Sequence, residues 1–264
     1  MIRNPPRKMI RNNPDLEGYA MEFPLFYAPQ IGEKDTEFIL DEANSRHCIQ
    51  VLRKTSGDEV QLTNGCGLLF RAAITGPDRR ACRMNLLSCD KINGNPYPLP
   101  AVAIGVPRHS PRLEWFLEKA VEVGVSEIFL LASARTFSSA PKTGRFTQIM
   151  ISAMLQSRQV YLPILHPPVV IQELLHYSGW DQRFIAHCGE GDRIYLPALV
   201  KPGMRTLVLI GPEGDFTPAE LELGKSMGLL PVSLGATRLR TETAALAALL
   251  MVHSVNLLHH ASFR

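Results

Sequence analysis

One short segment, residues 207–221 (LVLIGPEGDFTPAEL), joins an apolar run to a helix start through a glycine-flanked turn. The apolar residues 207–210 are typical of a strand buried on both faces of a parallel sheet. Residues 217–220 (Thr-Pro-Ala-Glu) carry the signature of a capping box with proline at the first helical position. Gly211 and Gly214 allow close approaches that a side chain would prevent. The segment therefore predicts a strand–turn–helix unit whose turn is shaped to hold a ligand.

The turn does not resemble a phosphate-binding loop. A glycine turn before a helix is a natural anion site, but this one lacks the Lys-Ser/Thr ending of a P-loop and the G-x-G-x-x-G of a dinucleotide fold. Glu213 and Asp215 also stand where phosphate oxygens would lie. We therefore expect a neutral or cationic ligand. The alternative is a tight turn with no ligand, because such turns join many βα units.

Bulk properties exclude several classes of protein. A chain of 264 residues, 45% of them apolar, is long for one core and suits two domains. Its longest apolar candidate, residues 244–252, is too short to span a membrane. Five cysteines without C-x-x-C spacing predict reduced thiols and no metal site. Without an apolar signal core near residue 1, we expect a cytoplasmic protein with no membrane partner.

The chain is predicted to contain a leader and two domains. Residues 1–20, with the near-repeat MIRNPP and MIRNNP, predict a disordered leader. Residues 21–95 contain short β-like runs and the hairpin signal Asn64-Gly65, which predicts a small β-barrel. In residues 96–264 strands and helices alternate, as in an α/β domain with a parallel sheet and helices on both faces. The last helix, beginning near residue 241, is apolar nearly all round and is expected to be buried.

A second motif, residues 233–245, lies between the final strand and the final helix. It places Arg238, Arg240 and Glu242 beside several hydroxyl groups. Ligands of open parallel sheets bind beyond the carboxyl ends of the strands, where this motif, the 211–214 turn and residues following the 182–186 strand should meet. The alternative is that Arg240 and Glu242 only cap and brace the helix.

Taken together, the two motifs resemble the 16S ribosomal RNA uracil-N3 methyltransferases, the RsmE family of the SPOUT superfamily. The family signature is matched at residues 211–220 (GPEGDFTPAE) and 234–244 (LGATRLRTETA). The stretches EKAVEVGVSEIFLLASART and RHCIQVLRKTSGDEV are also similar to family segments. The resemblance extends from residue 21 to the end of the chain.

The resemblance implies an N-terminal PUA-like β-barrel at residues 21–95 and a SPOUT methyltransferase domain at 96–264, with a C-terminal trefoil knot. It also implies S-adenosylmethionine as cofactor, a homodimer, and 16S ribosomal RNA of the small subunit as substrate, methylated on N3 of one uridine. The sulfonium cation of this cofactor agrees with a glycine turn flanked by acids.

Site residues follow from the same resemblance. The residues expected to hold the cofactor are Ala186, His187, Leu209, Ile210, Gly211, Pro212, Glu213, Gly214, Ser233, Leu234, Gly235, Leu239, Thr243 and Ala244. Arg240 is expected to orient the uracil and stabilise its anion, with Glu242 as the base or as the group that aligns Arg240. A structural histidine is the alternative for His187.

RNA contacts are expected from basic residues on both domains. These residues are Arg46, His47, Arg53 and Lys54 on the barrel, and Lys119, Arg135 and Gln156 on the catalytic domain. The alternative for the basic ones is an ordinary solvated surface. Next to Gln156 the chain departs from the family pattern Q-S/C-G-R, because Arg158 replaces glycine and Gln159 replaces arginine.

Two rival functions are weighed against the methyltransferase. A non-catalytic RNA-binding assembly factor of the same fold is disfavoured by the intact Arg240, Glu242 and glycine turns. A nucleotide-dependent oxidoreductase is disfavoured by the missing phosphate fingerprint.

Overall fold

The computed structural model describes residues 23–132, 143–189 and 193–262. The chain divides into two units, Met1–Gly94 and Asn95–Arg264. Among the sequence expectations, the leader and Arg135 lie outside the described residues.

The N-terminal unit is built on a five-stranded sheet. Its strands are β1 (Leu25–Tyr27), β2 (Glu37–Ile39), β3 (Glu59–Thr63), β4 (Leu68–Gly76) and β5 (Arg83–Lys91), in the order β1-β3-β4-β5-β2. The predicted hairpin is confirmed, since β3 and β4 pair antiparallel with Thr63 opposite Leu69. Asn64 Oδ1 accepts hydrogen bonds from the backbone N–H groups of Cys66 and Leu68 at 2.8 and 3.2 Å. The asparagine side chain thus closes the turn, as such residues commonly do.

A short helical segment packs on this sheet. It consists of α1 (Glu42–Arg46), capped by Asp41, and a π-helical turn (His47–Val51) that follows directly. Cys48 of this turn is buried with Phe26, Leu62 and Phe70 in the core of the unit.

The C-terminal unit contains a seven-stranded, fully parallel sheet in the order β10-β12-β9-β11-β6-β7-β8. The strands are β6 (Ala101–Gly105), β7 (Glu127–Ala132), β8 (Ile164–Val170), β9 (Gln182–Ala186), β10 (Ile194–Tyr195), β11 (Thr206–Ile210) and β12 (Leu230–Ser233). From β6 the chain runs outward through β7 and β8, then returns to the other side of β6. This reversal creates a switch point between β6 and β11, where open α/β sheets bind ligands.

Helices cover both faces of this sheet. They are α2 (Ser110–Val123), α3 (Thr143–Gln156), α4 (Ile171–Leu174), α5 (Leu196–Leu199), α6 (Pro218–Ser226) and α7 (Thr241–Ser262). Helices α2 and α7 pack together, and α7 also contacts β6 and β11. On the opposite face, α4 and α6 cover a core that includes Phe129, Leu207 and Leu209. The predicted mixed α/β architecture is confirmed, whereas the trefoil knot stays a prediction.

Two expectations for this unit need correction. Strand β8 was not predicted, because Pro167 and Pro168 interrupt its pattern; it forms at the edge of the sheet, where proline is tolerated. Helix α7 is not buried all round, since Leu250 and Leu257 are each 45% exposed. The segment Thr241–His260 is long and apolar enough to cross a membrane by composition alone, but half of it is buried inside the protein.

Candidate active site

Three segments that follow neighbouring strands surround one cavity of the C-terminal unit. Strands β9, β11 and β12 end at Ala186, Ile210 and Ser233, and β9 lies between the other two in the sheet. Because all three are parallel, their carboxyl ends meet at one edge. The cavity has a volume of about 600 Å³, which is within the range of small-ligand sites.

The cavity lining mixes apolar and charged side chains. Its apolar surface comes from Ala186, Ile210, Val232, Leu234, Leu239 and Ala244. Its charged residues are Arg112, Arg193, Arg238, Arg240, Glu213 and Asp215. The sequence predicted a neutral or cationic ligand from the acids of the 211–215 turn, whereas the structure places four arginines around the same cavity. Charge alone therefore does not decide the class of ligand.

The turn after β11 is held in shape by Asp215. Its backbone φ angle is +61°, and its N–H donates to the carbonyl oxygen of Pro212 at 2.9 Å. One carboxylate oxygen accepts from the N–H of Phe216, and the other accepts from the N–H of Cys188, each at 2.8 Å. Asp215 thus ties the turn to the segment that follows β9. Its carboxylate serves the loop structure, which sequence reasoning did not detect.

The helix after this turn begins as predicted. Thr217 accepts a hydrogen bond from the backbone of Glu220, and the Glu220 side chain accepts one from the backbone of Thr217. Pro218 occupies the start of α6. This confirmed capping box fixes where the turn ends.

Arg112, in the first turn of α2, joins the turn to the start of α7. Its Nη1 atom lies 2.8 Å from Glu213 Oε1, and its Nε atom lies 3.8 Å from Glu242 Oε1. Arg108 Nε approaches the other Glu213 oxygen at 3.6 Å. The carboxylate of Glu213 is therefore already compensated by arginine.

Glu242 is buried beneath the site. It is 7% exposed, and its Oε2 atom is buried without a hydrogen-bond partner among the residues described. The ion-pair partner of Glu242 within the described chain is Arg112, not Arg240, which is exposed. This arrangement leaves the Arg240 guanidinium available to a substrate.

His187 is a buried polar side chain of the lining. It is 9% exposed, and neither ring nitrogen has a hydrogen-bond partner in the described structure. Burial lowers the pKa of His187, and Asp215 opposes this effect. The ring is therefore neutral near pH 7, with one donor and one acceptor open to a ligand. Arg193 Nη1 donates to the carbonyl oxygen of His187 at 2.5 Å.

The structure brings most of the residues expected at the cofactor into this cavity. The lining includes Ala186, His187, Ile210, Gly211, Pro212, Glu213, Ser233, Leu234, Gly235, Leu239 and Ala244, together with Arg240. Gly214 and Thr243 lie in the same segments but outside the lining. Leu209 does not line the cavity, because its side chain is fully buried in the core that α4 and α6 cover.

The residues expected to contact RNA lie on both units. On the N-terminal unit, Arg46 pairs with Glu42 at 2.6 Å, His47 is exposed, and Arg53 adopts a positive φ angle of +56° just before Lys54. These four residues lie on α1, the π-helical turn and the residues that follow.

On the C-terminal unit, Lys119 Nζ lies 2.7 and 2.8 Å from Glu118 and Glu122, so its charge is compensated within α2. Gln156 is exposed at the end of α3.

Sequence reasoning missed several lining residues that are distant from the two motifs. Arg112 lies in a helix 101 residues before Glu213, and Arg193 lies beyond the 182–186 strand. A surface arginine near the start of an amphipathic helix gives no signal of its own. Only the folded sheet shows that the first turn of α2 reaches the cavity.

Comparisons with known proteins agree with this geometry. The RNA methyltransferase domain family matches residues 95–253, and the RNA methyltransferase PUA domain family matches residues 40–86. The chain belongs to the RsmE family of RNA methyltransferases. The expected family, the parallel α/β sheet and the PUA domain are therefore confirmed.

Individual RsmE relatives cover most of the chain. The ribosomal RNA small subunit methyltransferase E of Bacillus subtilis is 28% identical over 243 residues, covering 83% of this chain and 90% of that protein. The protein of the same name from Mycobacterium bovis is 27% identical, covering 85% of this chain and 89% of its own length.

Solved structures show the same RsmE architecture. A structure described as a probable rRNA-methyltransferase from Porphyromonas gingivalis has a TM-score of 0.84 at 36% identity, covering 92% of this chain and all of that one. The ribosomal RNA small subunit methyltransferase E from Neisseria gonorrhoeae, bound to S-adenosyl methionine, has a TM-score of 0.77 at 26% identity. It covers 88% of this chain and 98% of its own.

Proposed function

We propose that this chain transfers a methyl group from S-adenosylmethionine to N3 of a specific uridine in 16S ribosomal RNA of the small subunit. The observation that carries the proposal is the cavity at the carboxyl ends of β9, β11 and β12, lined by both RsmE motifs. The RsmE protein of Neisseria gonorrhoeae, which shares this fold, binds the same methyl donor.

The cavity fits this donor in size and chemistry. About 600 Å³ accommodates a nucleoside with an amino-acid tail. The apolar side chains of Ile210, Val232 and Leu239 suit an adenine ring, and the backbone groups of the three turns can form hydrogen bonds with the polar edge of that ring. The buried, unpartnered nitrogens of His187 need a hydrogen-bond partner that a ligand would supply.

The arginines of the lining are suited to bind anionic groups of the donor and of the RNA. Arg193 and Arg238 suit the carboxylate of the amino-acid tail and the phosphates of the RNA. When bound, S-adenosylmethionine supplies an activated methyl group on a sulfonium ion. The surrounding loops then hold it and the target base in line, and such positioning is a large part of catalysis.

The uracil N3–H must give up its proton, to bulk water at this solvent-open site, so that N3 can attack the methyl group and S-adenosylhomocysteine can leave. The exposed guanidinium of Arg240, at the cavity, is suited to bind the uracil carbonyl oxygens and to stabilise the anion that forms. Glu242 is less suited to act as the base, because its unpartnered oxygen is buried away from solvent. Of the two roles expected for Glu242, positioning agrees better with this geometry.

RNA binding and assembly complete the proposal. The basic residues Arg46, His47, Arg53 and Lys54 on the N-terminal unit would contact the RNA backbone. A homodimer would cover the exposed leucines of α7. Action on small-subunit RNA would take place in the cytoplasm.

Isotopic methyl transfer tests the function directly. Small subunits that lack the modification, incubated with the protein and labelled donor, should gain label that digestion recovers as N3-methyluridine. Protein that binds both donor and RNA but transfers no label would support the rival, a non-catalytic assembly factor. Label on another atom or another RNA would contradict the proposed substrate.

A further inference from the structure

One guanidinium joins three elements of the site. Arg112 belongs to α2, Glu213 to the turn after β11, and Glu242 to the first turn of α7. Arg112 also lines the cavity, so this junction lies at the edge of the donor site. Neither RsmE motif contains Arg112.

The Glu242 carboxylate depends on this arginine. It is 7% exposed, one oxygen is unpartnered in the described chain, and the other faces Arg112 at 3.8 Å. Removing a cation beside a buried carboxylate leaves an uncompensated charge, which is strongly unfavourable. We therefore expect the start of α7 to move if Arg112 is lost.

We propose that Arg112 is a positioning residue that sets the distance between the 211–216 turn, which would hold the methyl donor, and the segment that carries Arg240, which would bind the uracil. Through Glu213 it fixes the 211–216 turn, and through Glu242 it fixes the start of α7. Arg240 lies two residues before Glu242, so the same contact places the Arg240 backbone relative to the donor. The inference rests on the proposed function.

The shape of arginine suits this task. Its planar, forked guanidinium can face two carboxylates at once, whereas the ammonium of lysine is a compact charge. Arg108 also approaches Glu213, but its side chain is 61% exposed. The side chain of Arg112 is 31% exposed and reaches both acids.

Two variants and one control test the role. Arg112→Ala should weaken donor binding about tenfold in calorimetry, because a charge-assisted contact to the turn is lost. It should lower kcat about 100-fold through misplacement of Arg240, while KM for RNA changes little. Arg112→Lys should fall between wild type and Arg112→Ala in both quantities.

Arg145→Ala is the matched control. Arg145 also pairs with an acid of α2, Glu114 at 2.7 Å, but it does not line the cavity. This variant should keep the wild-type donor dissociation constant. An equal loss in Arg145→Ala would show general destabilisation of α2 and overturn the inference.

The remaining outcomes are also decisive. Wild-type donor affinity and kcat in Arg112→Ala would overturn the positioning role, as would a rise in KM for RNA alone. If Arg112→Ala does not fold, Arg112→Lys takes its place, and wild-type values there would overturn the role. If the wild-type protein binds donor but methylates no 16S RNA, the proposed substrate is wrong. The donor affinities of Arg112→Ala, Arg145→Ala and the wild type, compared by calorimetry, still test the role of Arg112.

Discussion

Gly105, the last residue of β6, lies against the backbone of Pro212 in the turn that follows β11. A Cβ atom built on Gly105 would be 2.7 Å from Pro212 Cα and 2.8 Å from the carbonyl carbon of Gly211. Real Cβ atoms do not approach backbone so closely, so any side chain here must displace the turn. The absence of a side chain at residue 105 is therefore a requirement of the cavity.

Gly105→Ala is expected to destabilise the protein by about 1–3 kcal/mol, the cost of overpacking a tight site. It should also weaken S-adenosylmethionine binding, because the 211–216 turn is shifted. Urea unfolding and calorimetry measure the two effects. Gly144→Ala on α3 is the control, since nothing lies within 4 Å of its Cβ position. Normal donor affinity in Gly105→Ala would contradict the importance of this contact.

Arg240→Ala should separate binding of the donor from turnover. The Arg240 side chain is exposed, and no ion pair ties it to another residue of the described chain. We expect donor affinity to stay within a few-fold of wild type, while kcat falls about 100- to 1,000-fold through loss of charge stabilisation. Calorimetry and single-turnover methylation give the two values. Unchanged turnover would refute the assigned role of Arg240.

Donor binding should weaken in acid because of His187. Burial lowers the pKa of His187 below its ordinary 6.5, with Asp215 opposing and Arg193 and Lys225 assisting. The ring is therefore neutral above 6.5 and gains charge only as the pH falls through the lowered pKa. A second positive charge in a cavity that holds a sulfonium ion is unfavourable, so affinity should fall only below pH 6.5, as the pH drops through the lowered pKa of His187. Calorimetry on His187→Gln should show a donor affinity that depends less on pH than that of the wild type. An unchanged pH dependence would mean that another group is responsible.

The exposed face of α7 is expected to form a dimer contact. Leu250 and Leu257 are seven residues apart on one helical face, and Leu258 beside them is 72% exposed. The double change Leu250→Glu and Leu257→Glu should shift the protein to a monomer in sedimentation, because each buried leucine contributes about 1.5–3 kcal/mol. Leu87→Glu, at a residue 53% exposed on β5, should not. If the wild-type protein is itself a monomer in sedimentation, the predicted dimer contact is wrong.

The elements with a strong local signal were predictable from the sequence. Thr217 and Glu220 form the capping box that their spacing indicates, and Asn64 closes the hairpin that its dipeptide predicts. Both depend on residues at most four positions apart. Local chemistry alone determines such features.

Features that depend on tertiary packing were not predictable in this way. Pro167 and Pro168 argue against a strand, yet β8 forms because an edge strand needs hydrogen bonds on one side only. The composition of α7 does not reveal which of its faces meets β6 and β11 and which faces outward. Arg112 reaches Glu242 only after α2 and α7 have packed together.

The walls of the cavity come from segments that are separate in the chain and become neighbours only in the finished sheet. A nascent polypeptide that ends before β12 would lack the 233–244 wall, even with Gly211 and Pro212 already synthesised. Because domains commonly fold while the chain is still being made, capture of the methyl donor would have to wait until β12 and the 233–244 segment have been made and packed. Ligand-induced protection from proteolysis can therefore serve as a signal that the 233–244 wall has folded onto the sheet.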